Sequence, residues 1–140
     1  MVSSIIAHNQ DYQDFISKYI EVYLNNYDVV LFLNGPIGSG KTTLAKAVTK
    51  IYSTKTLTSS SFGILNFIKS AKNIIHCDFY RDSLTHEFFD FEILPLLNSP
   101  YILMIEWSEP KQYIKDAKHI GLVIRVLANG DREITLNLLN

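Results

Sequence analysis

The sequence predicts an α/β fold built on a mixed sheet, with a parallel core and antiparallel additions. Three observations predict it. An apolar run, Val29-Val30-Leu31-Phe32-Leu33, leads through a glycine-rich loop into the helix-like stretch Thr43-Leu44-Ala45-Lys46-Ala47-Val48. Two further apolar runs, 73–79 and 101–105, close on acidic residues, Asp78 and Glu106. Runs 120–127 and 133–139 flank Asn129-Gly130, a strong hairpin signal. A strand that is apolar throughout belongs in the interior of a parallel sheet, covered on both faces. Strands joined by a tight turn are antiparallel neighbours.

The elements follow in order. Tyr12, Phe15, Ile16, Tyr19, Ile20 and Tyr23 recur at three- and four-residue steps. That spacing predicts an amphipathic helix over about residues 11–24, with Asn9 or Asp11 near its cap. The run at 29–33 is the first strand, and the helix after the loop ends near Ile51 and Tyr52. Residues 55–61 finish in a serine cluster. A strand is expected over 62–69, a turn over 70–73 and another strand over 73–79. On that last strand Ile74, His76 and Asp78 share one face and Cys77 takes the other. Residues 84–97 read as partly helical, interrupted at Pro95. Pro100 opens the run at 101–105, which ends in Glu106-Trp107. No repeat, low-complexity tract or linker is visible, and 140 residues suit one domain spanning 1–140.

Composition excludes several classes. The chain is 47% hydrophobic and 19% charged, with a net charge of −1 from 13 basic and 14 acidic residues. Such a balance offers no general nucleic-acid-binding surface. The one cysteine, Cys77, allows no intramolecular disulfide and suits a reducing cytoplasm. No apolar run approaches the roughly 18 residues of a membrane span. The start, Met1-Val2-Ser3-Ser4-Ile5-Ile6, lacks the basic region and longer apolar core of a signal peptide. A cytoplasmic protein without a membrane segment is expected.

The chemistry begins at Gly35-Pro36-Ile37-Gly38-Ser39-Gly40-Lys41-Thr42, which matches G-x-x-x-x-G-K-[ST] between a strand and a helix. This is the context of a phosphate-binding P-loop, and the fold class becomes P-loop NTPase-like. Glycines let backbone N–H groups approach phosphate oxygens, and a helix N-terminus adds unpaired donors. Lys41 can reach the β- and γ-phosphates, and the Thr42 hydroxyl can ligate Mg²⁺.

Other candidates cluster at strand ends. Asp78 stands where P-loop enzymes place an acid near Mg²⁺, with His76, Tyr80 and Arg81 around it. Glu106 ends another apolar strand, suiting Mg²⁺ coordination or orientation of water. Taken alone, Asp78 is better read as a solvated strand-end acid, and its neighbours shift the reading towards function; Glu106 has the same alternative. Trp107, taken alone, is a packing residue. Thr58, Ser59, Ser60 and Ser61 fit a switch-like loop or a plain polar connector. His8, His86 and His119 read as surface or structural, and Cys77 as a buried, inert thiol.

Taken together, the motifs resemble the TsaE (YjeE-type) family. The resemblance rests on Gly35 through the P-loop to Thr43, Ser59-Ser60-Ser61-Phe62, His76-Cys77-Asp78-Phe79-Tyr80-Arg81 and Ile105-Glu106-Trp107-Ser108-Glu109, in that order. It implies a small ATPase that supports threonylcarbamoyl modification of the adenosine beside the anticodon in tRNA. TsaB- and TsaD-type partners are implied, with tRNA met through them. ATP phosphates would be held by Gly38, Ser39, Gly40, Lys41, Thr42 and Thr43, with Gly35 opening the loop. Thr42 and Glu106 would ligate Mg²⁺, with Asp78 in direct or water-mediated contact. Lys41, Asp78 and Glu106 would carry catalysis. Trp107 would sit beside the nucleotide, Arg132 would approach it, and Gln10 and Asp11 would lie near adenine. Ser61 stands where the family carries a threonine, in a segment without its usual proline. Pro36 and Ser39 replace an acidic residue and an alanine, and the stretch between Arg81 and Pro100 is shorter than usual.

Three other functions compete. A small-molecule kinase would use several arginines as clamps, and the chain has only Arg81, Arg125 and Arg132. A GTP-dependent switch would carry an Asn-Lys-x-Asp segment, and none occurs. A non-catalytic nucleotide-binding subunit differs only in turnover.

Overall fold

The computed structural model describes residues 1–57, 64–81, 83–108 and 114–140. Among the described residues seven strands form one sheet: β1 (Val2–Ile6), β2 (Asp28–Asn34), β3 (Leu65–Lys69), β4 (Asn73–Asp78), β5 (Tyr101–Glu106), β6 (Ala117–Val126) and β7 (Arg132–Leu138). Their order is β1-β7-β6-β2-β5-β4-β3. The β6–β2, β2–β5 and β5–β4 pairs are parallel. The β1–β7, β6–β7 and β4–β3 pairs are antiparallel. A parallel core with antiparallel additions is thus the observed architecture.

The apolar strands owe their composition to burial on both faces. In β2, Val29, Leu31 and Leu33 join one core while Val30 and Phe32 join the other. In β5, Ile102 and Met104 face the first core, and Tyr101, Leu103 and Ile105 the second. The N-terminal helix, residues 13–26, covers the first core with Phe15, Ile16, Ile20 and Leu24. Beside it lies the P-loop helix, Lys41–Tyr52, which contributes Leu44, Ala45, Ala47 and Val48. A helical segment over 86–96 covers the second core, burying Ile93 with Phe88, Phe89 and Leu96 packed around it. Each fully buried side chain of this size contributes about 1.5–3 kcal/mol relative to exposure.

Boundaries differ from the sequence expectation in a few places. The N-terminal helix starts at Gln13, because Asp11 accepts a hydrogen bond from the Gln13 N–H at 3.0 Å and forms the turn before it. Within it, Ile16–Ile20 form a π-turn. Strand β1 was not expected at all. Its Ser3 and Ser4 interrupt the apolar signal, and its pairing partner is 130 residues away, Val2 opposite Leu136 and Ile6 opposite Arg132. Among the described residues β3 begins at Leu65, and Phe62 lies outside them. Pro95 sits in a 3₁₀ turn, Leu94–Leu96, that closes the helical segment. Among the described residues no helix is long and apolar enough to cross a membrane.

Cys77 is fully buried in the second core, and burial pushes its thiol up to about 12. A thiol held that far above the ordinary value near 8.5 stays protonated, and only the thiolate reacts. In a native protein at pH 8, Cys77 is expected to resist a disulfide-exchange reagent and to react promptly in denaturant. Rapid labelling under native conditions would contradict its placement.

Candidate functional site

The loop after β2 is shaped by two glycines and supported from below. Gly38 and Gly40 have φ of 75° and 105°, in the region L side chains rarely adopt. At Gly38 an added Cβ would meet nothing within 4 Å, whereas at Gly40 it would overlap the Tyr12 hydroxyl. Tyr12, fully buried, donates from that hydroxyl to the Ser39 carbonyl at 3.5 Å. The Arg132 guanidinium stands 4.4 Å over the Tyr12 ring and donates to the Gln10 carbonyl at 2.8 Å. The start of the N-terminal helix and the start of β7 therefore brace the end of the P-loop.

The helix that follows points its first turn at the carboxyl edge of the sheet. Lys41 is 5% exposed, and its ammonium donates to the carbonyls of Gly35 at 2.6 Å and Pro36 at 3.0 Å. It also lies 3.9 Å over the Trp107 ring. Burial pushes this ammonium below the usual lysine range, an effect the Glu106 and Asp78 carboxylates oppose. Thr42 donates to Glu106, 2.9 Å from Oε2 and 3.2 Å from Oε1. Glu106 is 2% exposed and meets His76 Nε2 through Oε2 at 2.5 Å. A buried carboxylate is tolerated only when hydrogen-bonded in this way.

Parallel pairing delivers the two acids together. Register places Asp78 of β4 opposite Glu106 of β5, and Glu106 opposite Leu33 of β2. The Asp78 carboxylate accepts from the Tyr80 N–H at 2.9 Å, which turns the chain after β4. Trp107 has φ of 69°, an outlier for a bulky residue, and its ring lies 5.1 Å from that of Tyr80. A cleft of about 330 Å³ results. Residues 37–43 line one side, and Asp78, Tyr80, Glu106 and Trp107 the other.

The family model described as "Threonylcarbamoyl adenosine biosynthesis protein TsaE" matches residues 6–134. The chain belongs to the TsaE family. The tRNA threonylcarbamoyladenosine biosynthesis protein TsaE of Treponema pallidum (strain Nichols) is 29% identical over 108 residues, covering 76% of this chain and 80% of that protein. The protein of the same name from Haemophilus influenzae (strain ATCC 51907 / DSM 11121 / KW20 / Rd) is 29% identical over 127 residues, covering 78% and 80%. The crystal structure of Bacillus subtilis YdiB superposes with a TM-score of 0.62 at 18% identity, covering all of this chain and 89% of that one. At that identity the match speaks for the fold.

Among the residues expected at a TsaE-family site, Gly38, Ser39, Gly40, Lys41, Thr42, Thr43, Asp78, Glu106 and Trp107 all line the cleft. Gly35 and Arg132 do not. Gly35 acts through its carbonyl on Lys41, and Arg132 is turned towards Tyr12 and Gln10, on the supporting side of Gly40. Ser61 lies outside the described residues, with the rest of the serine cluster and Glu109. Arg81 is exposed. His76 was not assigned a part by sequence. Its signals were a place two residues before Asp78 on the same face and at the head of the His76–Arg81 segment that carries the family resemblance.

The donor set suits a magnesium nucleotide. A hydroxyl carries one donor and two acceptor lone pairs, so Thr42 can donate to Glu106 and still offer oxygen to a cation. Among the described residues no three His, Cys, Asp or Glu side chains form a metal cage. Mg²⁺ does not require one, because it keeps several waters and takes one or two carboxylates plus substrate phosphates.

The two glycines differ in a way stability can measure. Gly38→Ala meets open space and costs only the backbone conformation. Gly40→Ala adds overlap with a buried tyrosine. Strain of this kind costs about 1–3 kcal/mol. Denaturant melts without nucleotide are expected to show Gly40→Ala as the more destabilised, and equal losses would contradict the bracing of the loop by Tyr12.

Proposed function

We propose that this chain is an ATPase that binds Mg·ATP at the P-loop cleft and supports threonylcarbamoyl modification of the adenosine next to the anticodon in tRNA, working with TsaB- and TsaD-type partners in the cytoplasm. We take residues 1–140 as one P-loop ATPase domain. The observation that carries the proposal is the meeting of the Thr42 hydroxyl with the buried Glu106 carboxylate at the mouth of the Gly38–Gly40 turn. Family membership supplies the pathway.

In this reading the backbone N–H groups of residues 38–43 bind the phosphates, aided by the helix N-terminus. Lys41 exchanges a carbonyl or the indole face for phosphate oxygens. Thr42, Glu106 and Asp78 offer oxygen to the cation. Mg²⁺, when bound, neutralises charge that develops on the phosphates. Glu106 also orients the attacking water. Trp107 flanks the nucleotide, and Ser61 takes the switch position. Arg132, by bracing Gly40, serves the same site from behind.

The charge balance favours dependence on a partner. Among the described residues that line the cleft, Lys41 is the only cation, against Asp78 and Glu106. A P-loop site without an arginine to stabilise the transition state turns over slowly until a partner supplies one, an effect that reaches about 10³–10⁵. Slow phosphate release by the isolated chain is therefore expected, with strong stimulation by a TsaB–TsaD-type complex. Lys41→Ala removes a charged hydrogen bond worth roughly 1.5–3 kcal/mol, so ATP affinity falls at least about tenfold, and multiple-turnover modification stops. Phosphate release and modified adenosine, measured with and without the partners, test this. Fast hydrolysis alone, with modification unaffected by omission of the chain, would favour a kinase or another ATPase role.

A further inference from the structure

We infer that His76 is a positioning residue: it fixes the Glu106 carboxylate so that Oε1, and not Oε2, is the oxygen presented to the cation beside Thr42. The inference rests on the Mg·ATP reading above and concerns how this chain meets the metal requirement.

Strand geometry brings the pair together. His76 and Asp78 are two apart on β4 and share the face covered by the P-loop helix, as Ile74 does in the first core. In register, His76 lies opposite Met104 and Asp78 opposite Glu106. His76 and Glu106 are therefore diagonal neighbours across a parallel pair, within reach of long side chains. The imidazole spans that diagonal, and its Nε2 stands 2.5 Å from Oε2. Both groups are nearly inaccessible, His76 at 3% and Glu106 at 2%.

The proton of this contact sits on Nε2. His76 Nδ1 is buried and has no hydrogen-bond partner among the described residues, and a buried N–H aimed at nothing costs the full desolvation of that group. With the hydrogen on Nε2, the ring donates to Oε2. That oxygen then receives two donors, because the Thr42 hydroxyl also lies closer to it, 2.9 Å against 3.2 Å for Oε1. Oε1 has only the longer, 3.2 Å contact with the Thr42 hydroxyl and keeps a lone pair for a cation. A glutamate has three side-chain torsions, and among the described residues the Thr42 hydroxyl is the other side-chain donor that selects among its rotamers. Partners that orient a ligating carboxylate typically carry about 10–100-fold in metal affinity.

The test uses replacements that differ in where they put an N–H. His76→Gln places an amide nitrogen at the depth of Nε2, while His76→Asn stops at the depth of Nδ1 and His76→Leu has no donor. Calorimetry of ATP binding to the full chain, with and without Mg²⁺, gives metal-free affinity and the Mg²⁺ concentration for half-maximal tightening. The expected result is about a tenfold rise in that concentration for Asn and Leu, recovery to within about threefold of the parent for Gln, and metal-free ATP affinity within about twofold throughout. A merely structural histidine would lower stability without this pattern, so thermal melts are run on all three. If Leu does not fold, the Gln and Asn pair decides. Gln and Asn equally impaired, or neither impaired, overturns the positioning role while leaving the Mg·ATP reading intact. Parental ATP binding that ignores Mg²⁺ overturns that reading, and the inference with it.

Discussion

A carboxylate buried at the end of a central strand is the constraint on which this site depends. Glu106 is 2% exposed, and an ion so placed persists only if its lone pairs are satisfied. Its partners come from two other elements: Thr42 from the P-loop helix and His76 from β4. The demand of one side chain thus fixes the helix against the sheet edge and sets the depth of the first helical turn. Leu44, Ala45 and Val48 then pack on the same face as Leu31, Leu33 and Met104, so apolar burial and polar satisfaction select one arrangement.

The loop is held by a second, independent set of contacts. Tyr12 closes the space behind Gly40, and Arg132 lies on Tyr12 and ties to Gln10. These residues come from the two ends of the chain, which meet through the pairing of β1 with β7. The first strand, an edge element with little apolar signal, thereby helps carry the support of the P-loop. Lys41 links the two sets, since it bonds the loop carbonyls and lies on Trp107 at the far side of the cleft.

What was legible in the sequence follows the range of the interactions. The glycine-rich loop is local: eight consecutive residues dictate its turn between a strand and a helix, so its place could be read directly. The strands β2, β4 and β5 were legible because burial on both faces leaves continuous apolar runs. The hairpin was legible because Asn129-Gly130 has a specific backbone preference, seen as φ of 89° at Gly130. Strand β1 was hidden, because its alternating, half-exposed pattern acquires meaning only beside β7. The contact of His76 with Glu106 depends on the register of β4 against β5, which no local pattern encodes. The placement of Arg132 behind the loop depends likewise on where β7 begins relative to the N-terminal helix.

On the proposed function, the Gly38–Gly40 turn and the Thr42–Glu106 pair form one magnesium-nucleotide site. A crystal structure of the chain with Mg²⁺ and a non-hydrolysable ATP analogue tests it most directly. Phosphate oxygens are expected on the backbone N–H groups of residues 38–43, with the cation touching the Thr42 hydroxyl and Glu106 Oε1 within direct or one-water reach. Phosphates bound elsewhere, or a cation remote from both Thr42 and Glu106, would contradict it.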